Sequence, residues 1–72
     1  MEFIFTHHAR ERALHRKIKR EWIEKALLNP DKSLEVKHGR KKNVKKINDK
    51  KISVVHVVED QKYIVVTTYW GE

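Results

Sequence analysis

The chain has 72 residues, with 17 Lys+Arg against 10 Asp+Glu, a formal net charge of +7 and no cysteine. This length fits one domain with a thin core, burying about 60% of the surface its unfolded chain exposes. The composition excludes a disulfide framework and a thiolate metal site, and no apolar run reaches the ~20 residues that cross a bilayer.

The first residues, Met1-Glu2-Phe3-Ile4-Phe5, lack the n-region and h-region of a signal peptide, so we expect a cytoplasmic protein with no membrane role. Alternation of Phe3 and Phe5 with Glu2, Ile4 and Thr6 predicts a short first strand. Thr6 is placed to cap a helix over about residues 7 to 16. A second helix is expected over residues 19 to 28, with Trp22, Ile23, Ala26 and Leu27 on one face and Asn29-Pro30 as its stop.

The period then becomes alternating. Leu34 and Val36 are set against Glu35 and Lys37, and His38-Gly39 signals a turn. Three further strands are expected at about residues 43 to 48, 52 to 59 and 63 to 70, joined by Asn48-Asp49-Lys50-Lys51 and Glu59-Asp60-Gln61-Lys62, both of hairpin length. The last two runs are apolar on both sides, as central strands are, whereas the lysine-rich 43 to 48 run has the character of an edge. The expected order is β-α-α-β-β-β-β, an α+β fold with two helices on one face of a small antiparallel sheet.

Charge is concentrated in two places. Residues 32 to 51 hold nine Lys/Arg against Glu35 and Asp49, with Arg40, Lys41 and Lys42 expected at a hairpin tip and Lys45 and Lys46 in the strand after it. So basic a segment points to a polyanion, either a nucleic-acid backbone or an acidic protein. The second concentration is the first helix, where His8, Arg12, His15 and Arg16 fall on one arc roughly 100° wide, beside Ala9 and Ala13. Groups at the border of a buried face can be held by packing and still reach a ligand.

Cleaving RNA without a metal needs a base for the ribose 2′-hydroxyl, an acid for the departing 5′ oxygen and cations for the crowded phosphorane. Histidine serves as acid or base near neutral pH, and arginine supplies the charge. His8 is the best placed imidazole and His7, about 100° round the helix, is its competitor. Tyr69 offers a proton or a stacking surface. His56 lies within a β run and reads as a hydrogen-bonded sheet residue; His15 and His38 read as surface residues. No histidine spacing suits zinc and no clustered carboxylates suit magnesium, so no metal and no cofactor is expected. Trp70 is open to three readings: core, base stacking or a partner interface. The lysine-rich, glutamine-poor composition also fits a thermophilic source.

The combination Phe5-Thr6-x-His8-Ala9-x-x-Arg12, Arg16-x-Ile18, Trp22-Ile23, Leu28-Asn29-Pro30, Gly39-Arg40 and Val66-Thr67-Thr68-Tyr69 resembles a family of small domains of unknown function allied to the RelE/ParE toxin superfamily. The resemblance covers nearly the whole chain, and its most specific part is His8-Ala9-x-x-Arg12-x-x-x-Arg16-x-Ile18 with Asn29-Pro30. It implies a RelE-like fold and a metal-independent ribonuclease, the toxin half of a toxin–antitoxin pair. Such proteins act on RNA, often on the ribosome, and are silenced by an antitoxin. The positions matching the functional residues are His8, Arg12, Arg16, Arg40 and Tyr69. A non-catalytic nucleic-acid-binding module and a domain docking an acidic partner remain the alternatives, since one fold hosts many activities.

Overall fold

A computed structural model describes residues 2–72. Its elements are β1 (Glu2–Phe5), α1 (His7–His15), α2 (Arg20–Leu28), β2 (Lys32–Glu35), a 3-10 turn (Lys37–Gly39), β3 (Lys41–Ile47), β4 (Lys50–Glu59) and β5 (Lys62–Trp70). The expected order and α+β class hold, with two helices on one face of a five-stranded sheet. No helix is long and apolar enough to cross a membrane among the described residues.

The sheet runs β1-β5-β4-β3-β2. It is mixed, not antiparallel throughout, because β1 pairs parallel with β5, Phe5 lying opposite Val65. The two intervening helices supply the crossover that a parallel pair requires. A second correction concerns β3, which is internal, between β4 and β2. The edge on that side of the sheet is β2, whose four residues are all exposed. Lysine is tolerated in an internal strand because its stem can lie along the sheet while the ammonium stays in water. Lys41 and Lys42 belong to β3 itself and not to a hairpin tip; the 3-10 turn, with His38 and Gly39 at φ 65 and 70, makes that connection.

Local chemistry sets the helix ends. Thr6 Oγ1 accepts from the Ala9 N–H at 3.1 Å and donates to the Val65 carbonyl at 3.1 Å, so one hydroxyl starts α1 and ties it to β5. At the other end Lys17 takes φ 55, with the Ile18 N–H donating to Ala13 O at 2.9 Å and the Lys17 N–H to Leu14 O at 3.2 Å. That is a Schellman ending, made by lysine where glycine is usual. It delivers Ile18 into the core.

The covered face collects Ala9, Ile18, Ile23, Ala26, Leu27, Ile52, Val54 and Val65, with Phe3, Phe5, Trp22, Tyr63 and Trp70 packed around them. Asn43 holds β3 to α2, donating from Nδ2 to Ala26 O at 3.0 Å and accepting from Ser33 Oγ at 2.7 Å. It thereby satisfies one of the carbonyls a helix leaves free in its last turn.

A bulge fixes which side chains reach which face. Val55 pairs with Thr67 but His56 pairs with Val65, so Val66 is an extra residue on β5. Tyr63 and Val65 face the helices before the bulge, and Thr68 and Trp70 do so after it. Tyr69 therefore faces the open side.

Candidate nucleic-acid interface

On α1, Arg12 Nε donates to His8 Nε2 at 3.2 Å. Both side chains are exposed, and in this arrangement His8 Nε2 carries the lone pair. The i, i+4 spacing that placed them on one arc brings them into contact. His7 is drawn elsewhere: its Nε2 lies 3.5 Å from Glu11 Oε1 on the neighbouring face. The two adjacent imidazoles thus have different partners, an acid for His7 and an arginine for His8. Glu11, Arg12 and His15 line a shallow cleft of about 180 Å³.

Arg16 ends the stripe and is half-buried. Its Nη1 donates to Thr68 O at 2.7 Å, while its carbonyl accepts from Trp70 Nε1 at 2.6 Å. Arg16 is thus an anchor between α1 and β5 that retains further N–H donors. Because β1 pairs only with residues 62 to 65 of β5, α1 lies beside the part of β5 that β1 leaves uncovered. Tyr69 is the residue after the Arg16 contact and turns to the open face.

The strand period divides the basic segment. Lys41 and Lys45 share the covered side with Asn43, whereas Lys42 and Lys46 share the open side with Val44. Lys45 is largely buried against Asp31, 3.5 Å from its Oδ1, and Asp31 Oδ2 accepts from the Lys46 N–H at 2.7 Å. That backbone hydrogen bond, with Lys45 beside it, holds the Asp31 carboxyl below its ordinary range. Arg40 is exposed beside the 3-10 turn, in a small cleft with Glu35, Val36, Gly39 and Lys41. Of the five basic residues singled out in the sequence, Lys42 and Lys46 are the two that share the face of Tyr69.

Two lysines of the basic segment that the sequence did not single out, and one acid it gave no sign of, also lie on that face. Lys32 from β2 and Lys51 from β4 join Lys42 around Glu72, with Lys32 Nζ to Oε1 at 2.7 Å, Lys51 Nζ to Oε2 at 2.9 Å and Lys42 Nζ to the Glu72 carbonyl at 3.0 Å. The hydrogen bonds from Lys32 and Lys51 hold the Glu72 carboxyl down at about 2. The residues are far apart in sequence, and only strand register brings them together.

Two aromatic or imidazole candidates are settled by packing. His56 is 1% exposed, donates from Nδ1 to Val54 O at 3.2 Å and meets the Tyr63 ring edge-on at 5.7 Å. Burial pushes its pKa below the usual histidine value, with nearby Lys41 acting in the same direction. Trp70 stands against Trp22 at 5.9 Å and caps the end of α1, so the core reading is the one the structure bears out. Among the described residues, no three His, Cys, Asp or Glu side chains gather where a metal ion could sit.

A family model described as a domain of unknown function, DUF4258, matches residues 5–70, and the chain belongs to that family. No curated protein and no solved structure matches it significantly.

Proposed function

We propose that this DUF4258 member is a RelE-like, toxin-type protein that binds RNA in the cytoplasm and cleaves it without a metal ion. The observation that carries the reading is the exposed His8–Arg12 hydrogen bond, on a helix whose next arginine, Arg16, is anchored on β5 beside Tyr69. Arg12 now occupies the lone pair of His8 Nε2. A scissile phosphate that takes over the Arg12 guanidinium frees that lone pair at the moment substrate arrives.

His8 then takes the ribose 2′-hydroxyl proton, the 2′ oxygen bonds to phosphorus, and the P–O5′ bond breaks to leave a 2′,3′-cyclic phosphate. The departing 5′ oxygen takes a proton from solvent, and Tyr69, on the open face, is left to stack on a flanking base. Arg12 and the free donors of Arg16 offset the phosphorane charge. Arg40, Lys41, Lys42, Lys45 and Lys46 supply the wider field that draws the backbone in, with Lys42 and Lys46 on the face of Tyr69. Toxin-type activity also implies an acidic antitoxin that covers this basic surface, and substrate that is free or ribosome-bound mRNA.

The test is labelled mRNA incubated with the purified chain in EDTA, with and without ribosomes. Fragments with cyclic phosphate ends are expected. Intact RNA in both incubations, or equal cleavage by a variant carrying His7→Ala and His8→Ala, overturns the catalytic reading. Binding without cleavage, with log affinity falling by about 0.7 per phosphate contact on log salt, leaves a non-catalytic RNA-binding module.

A further inference from the structure

The densest charge arrangement on the molecule lies away from the α1 stripe. After β5, Gly71 takes φ 92, a left-handed conformation open to glycine, and turns the chain back over the open face of the sheet. Its N–H donates to Lys51 O at 2.6 Å and its carbonyl accepts from Ser53 Oγ at 2.5 Å. Register places Lys32, Val44, Ser53 and Tyr69 side by side across four strands of this face. Val44 and Ser53 are 2% and 0% exposed although no helix covers this side.

We propose that Lys32, Lys42 and Lys51 form a seat for a backbone phosphate of single-stranded RNA, occupied in cis by Glu72. The inference rests on the RNA-binding reading above and adds where the backbone sits and what guards it. Three strands supply the three ammonium groups, so the rigid sheet and not a loop sets their spacing. Ammonium groups are point charges that accept an oxyanion without the planar match a guanidinium demands. Glu72 fills the seat with anionic oxygens facing several donors, as a phosphodiester would.

Charge balance favours a polyanion over the resident carboxylate. Lys46 lies directly opposite Lys51 in the β3–β4 ladder, a like-charge pair that opposes pairing unless an anion is near. Glu72 meets Lys32, Lys42 and Lys51, and Lys46 adds a fourth positive charge to this face. The Lys32 and Lys51 ion pairs are half-exposed, and such pairs shift an equilibrium by no more than about fivefold, so Glu72 is displaceable. Tyr69, next to Ser53 in the same row, offers its ring to a base beside the seated phosphate.

The experiment follows anisotropy of a fluorescein-labelled oligouridylate with the full chain in EDTA, at several salt concentrations, with folding of every variant checked by amide NMR spectra. Glu72→Gln should bind about two- to fivefold tighter, because the competitor in cis is weakened. The triple variant Lys32→Ala, Lys42→Ala, Lys51→Ala should bind at least about tenfold more weakly, with a salt slope shallower by about 2. Lys25→Ala, on the exposed side of α2, is the charge control and should match wild type.

Equal affinity of wild type, Glu72→Gln and the triple variant overturns the seat while leaving RNA binding intact. Loss of RNA binding in all of them, wild type included, overturns both readings. If Glu72→Gln tightens capture of a labelled glutamate-rich peptide but not of RNA, the seat belongs to a protein partner and the RNA assignment falls.

Discussion

The covered and open faces of the sheet both place polar side chains at their centres, yet they treat them differently. On the covered face Asn43, His56 and Thr68 are buried, and each has a fixed partner: Ala26 O, Val54 O and Ser53 O. No buried side-chain polar atom among the described residues lacks one. On the open face Lys32, Lys42 and Lys51 are satisfied by Glu72, an exposed residue just past the last strand. An interior partner cannot leave without an unsatisfied group remaining behind, whereas a surface partner can be exchanged for a ligand. Buried polar side chains with interior partners are thus structural, whereas the lysines of the open face are available to a ligand.

The largest effect expected is on chemistry, at the α1 stripe beside the open part of β5. His8→Ala should slow RNA cleavage by about 10²- to 10⁴-fold with an unchanged melting temperature, read by gel assay and thermal denaturation. Asn43→Ala should do the reverse. It strands the buried Ala26 carbonyl and destabilises the fold by about 2 kcal/mol, lowering the melting temperature by about 8 to 16 °C and leaving the RNA affinity of the remaining folded protein unchanged. A variant of either kind that moved both properties would break the division between the faces.

A smaller effect is expected at the α1 ending. Lys17→Gly removes a left-handed lysine and should stabilise by about 1 kcal/mol, measured by urea denaturation.

Two titrations sharpen the comparison further. His56 has a folded pKa below 6.5, so the unfolded chain binds the extra proton. Its contribution to stability is complete above about pH 6.5 and is lost as pH falls below it, which urea midpoints between pH 8 and 5 will show. Glu72 has a folded pKa of about 2 against 4.5, so its contact with the lysines is held above pH 4.5 and released between 4.5 and about 2. NMR titration should find the Glu72 carboxyl returning toward 4.5 when Lys32 and Lys51 are both replaced by alanine.

Much of the fold was legible because its signals are local. Thr6, the helical period of residues 7 to 16 and Asn29-Pro30 marked both helices, and the alternating runs marked the strands to within a few residues. The end of α1 at Lys17 carried no sign, since lysine has no preference for the left-handed region it adopts there. The lysine content of β3 suggested an edge because composition counts charges without saying which face they occupy. The contact between His8 and Arg12 follows from helical spacing alone, but the anchoring of Arg16 to Thr68, 52 residues later, does not.

By itself the sequence determined the helix and strand order, the net charge of +7 and the pairing of imidazole with guanidinium on α1. Each depends on residues within one or two turns of each other, or on composition. Only the tertiary structure decided that β1 lies beside β5, that Val66 is the extra residue turning Tyr69 to the open face, and that Lys32, Lys42 and Lys51 meet at Glu72. The reason is register: a one-residue offset between strands moves a side chain to the other side of the sheet, and no local pattern specifies it.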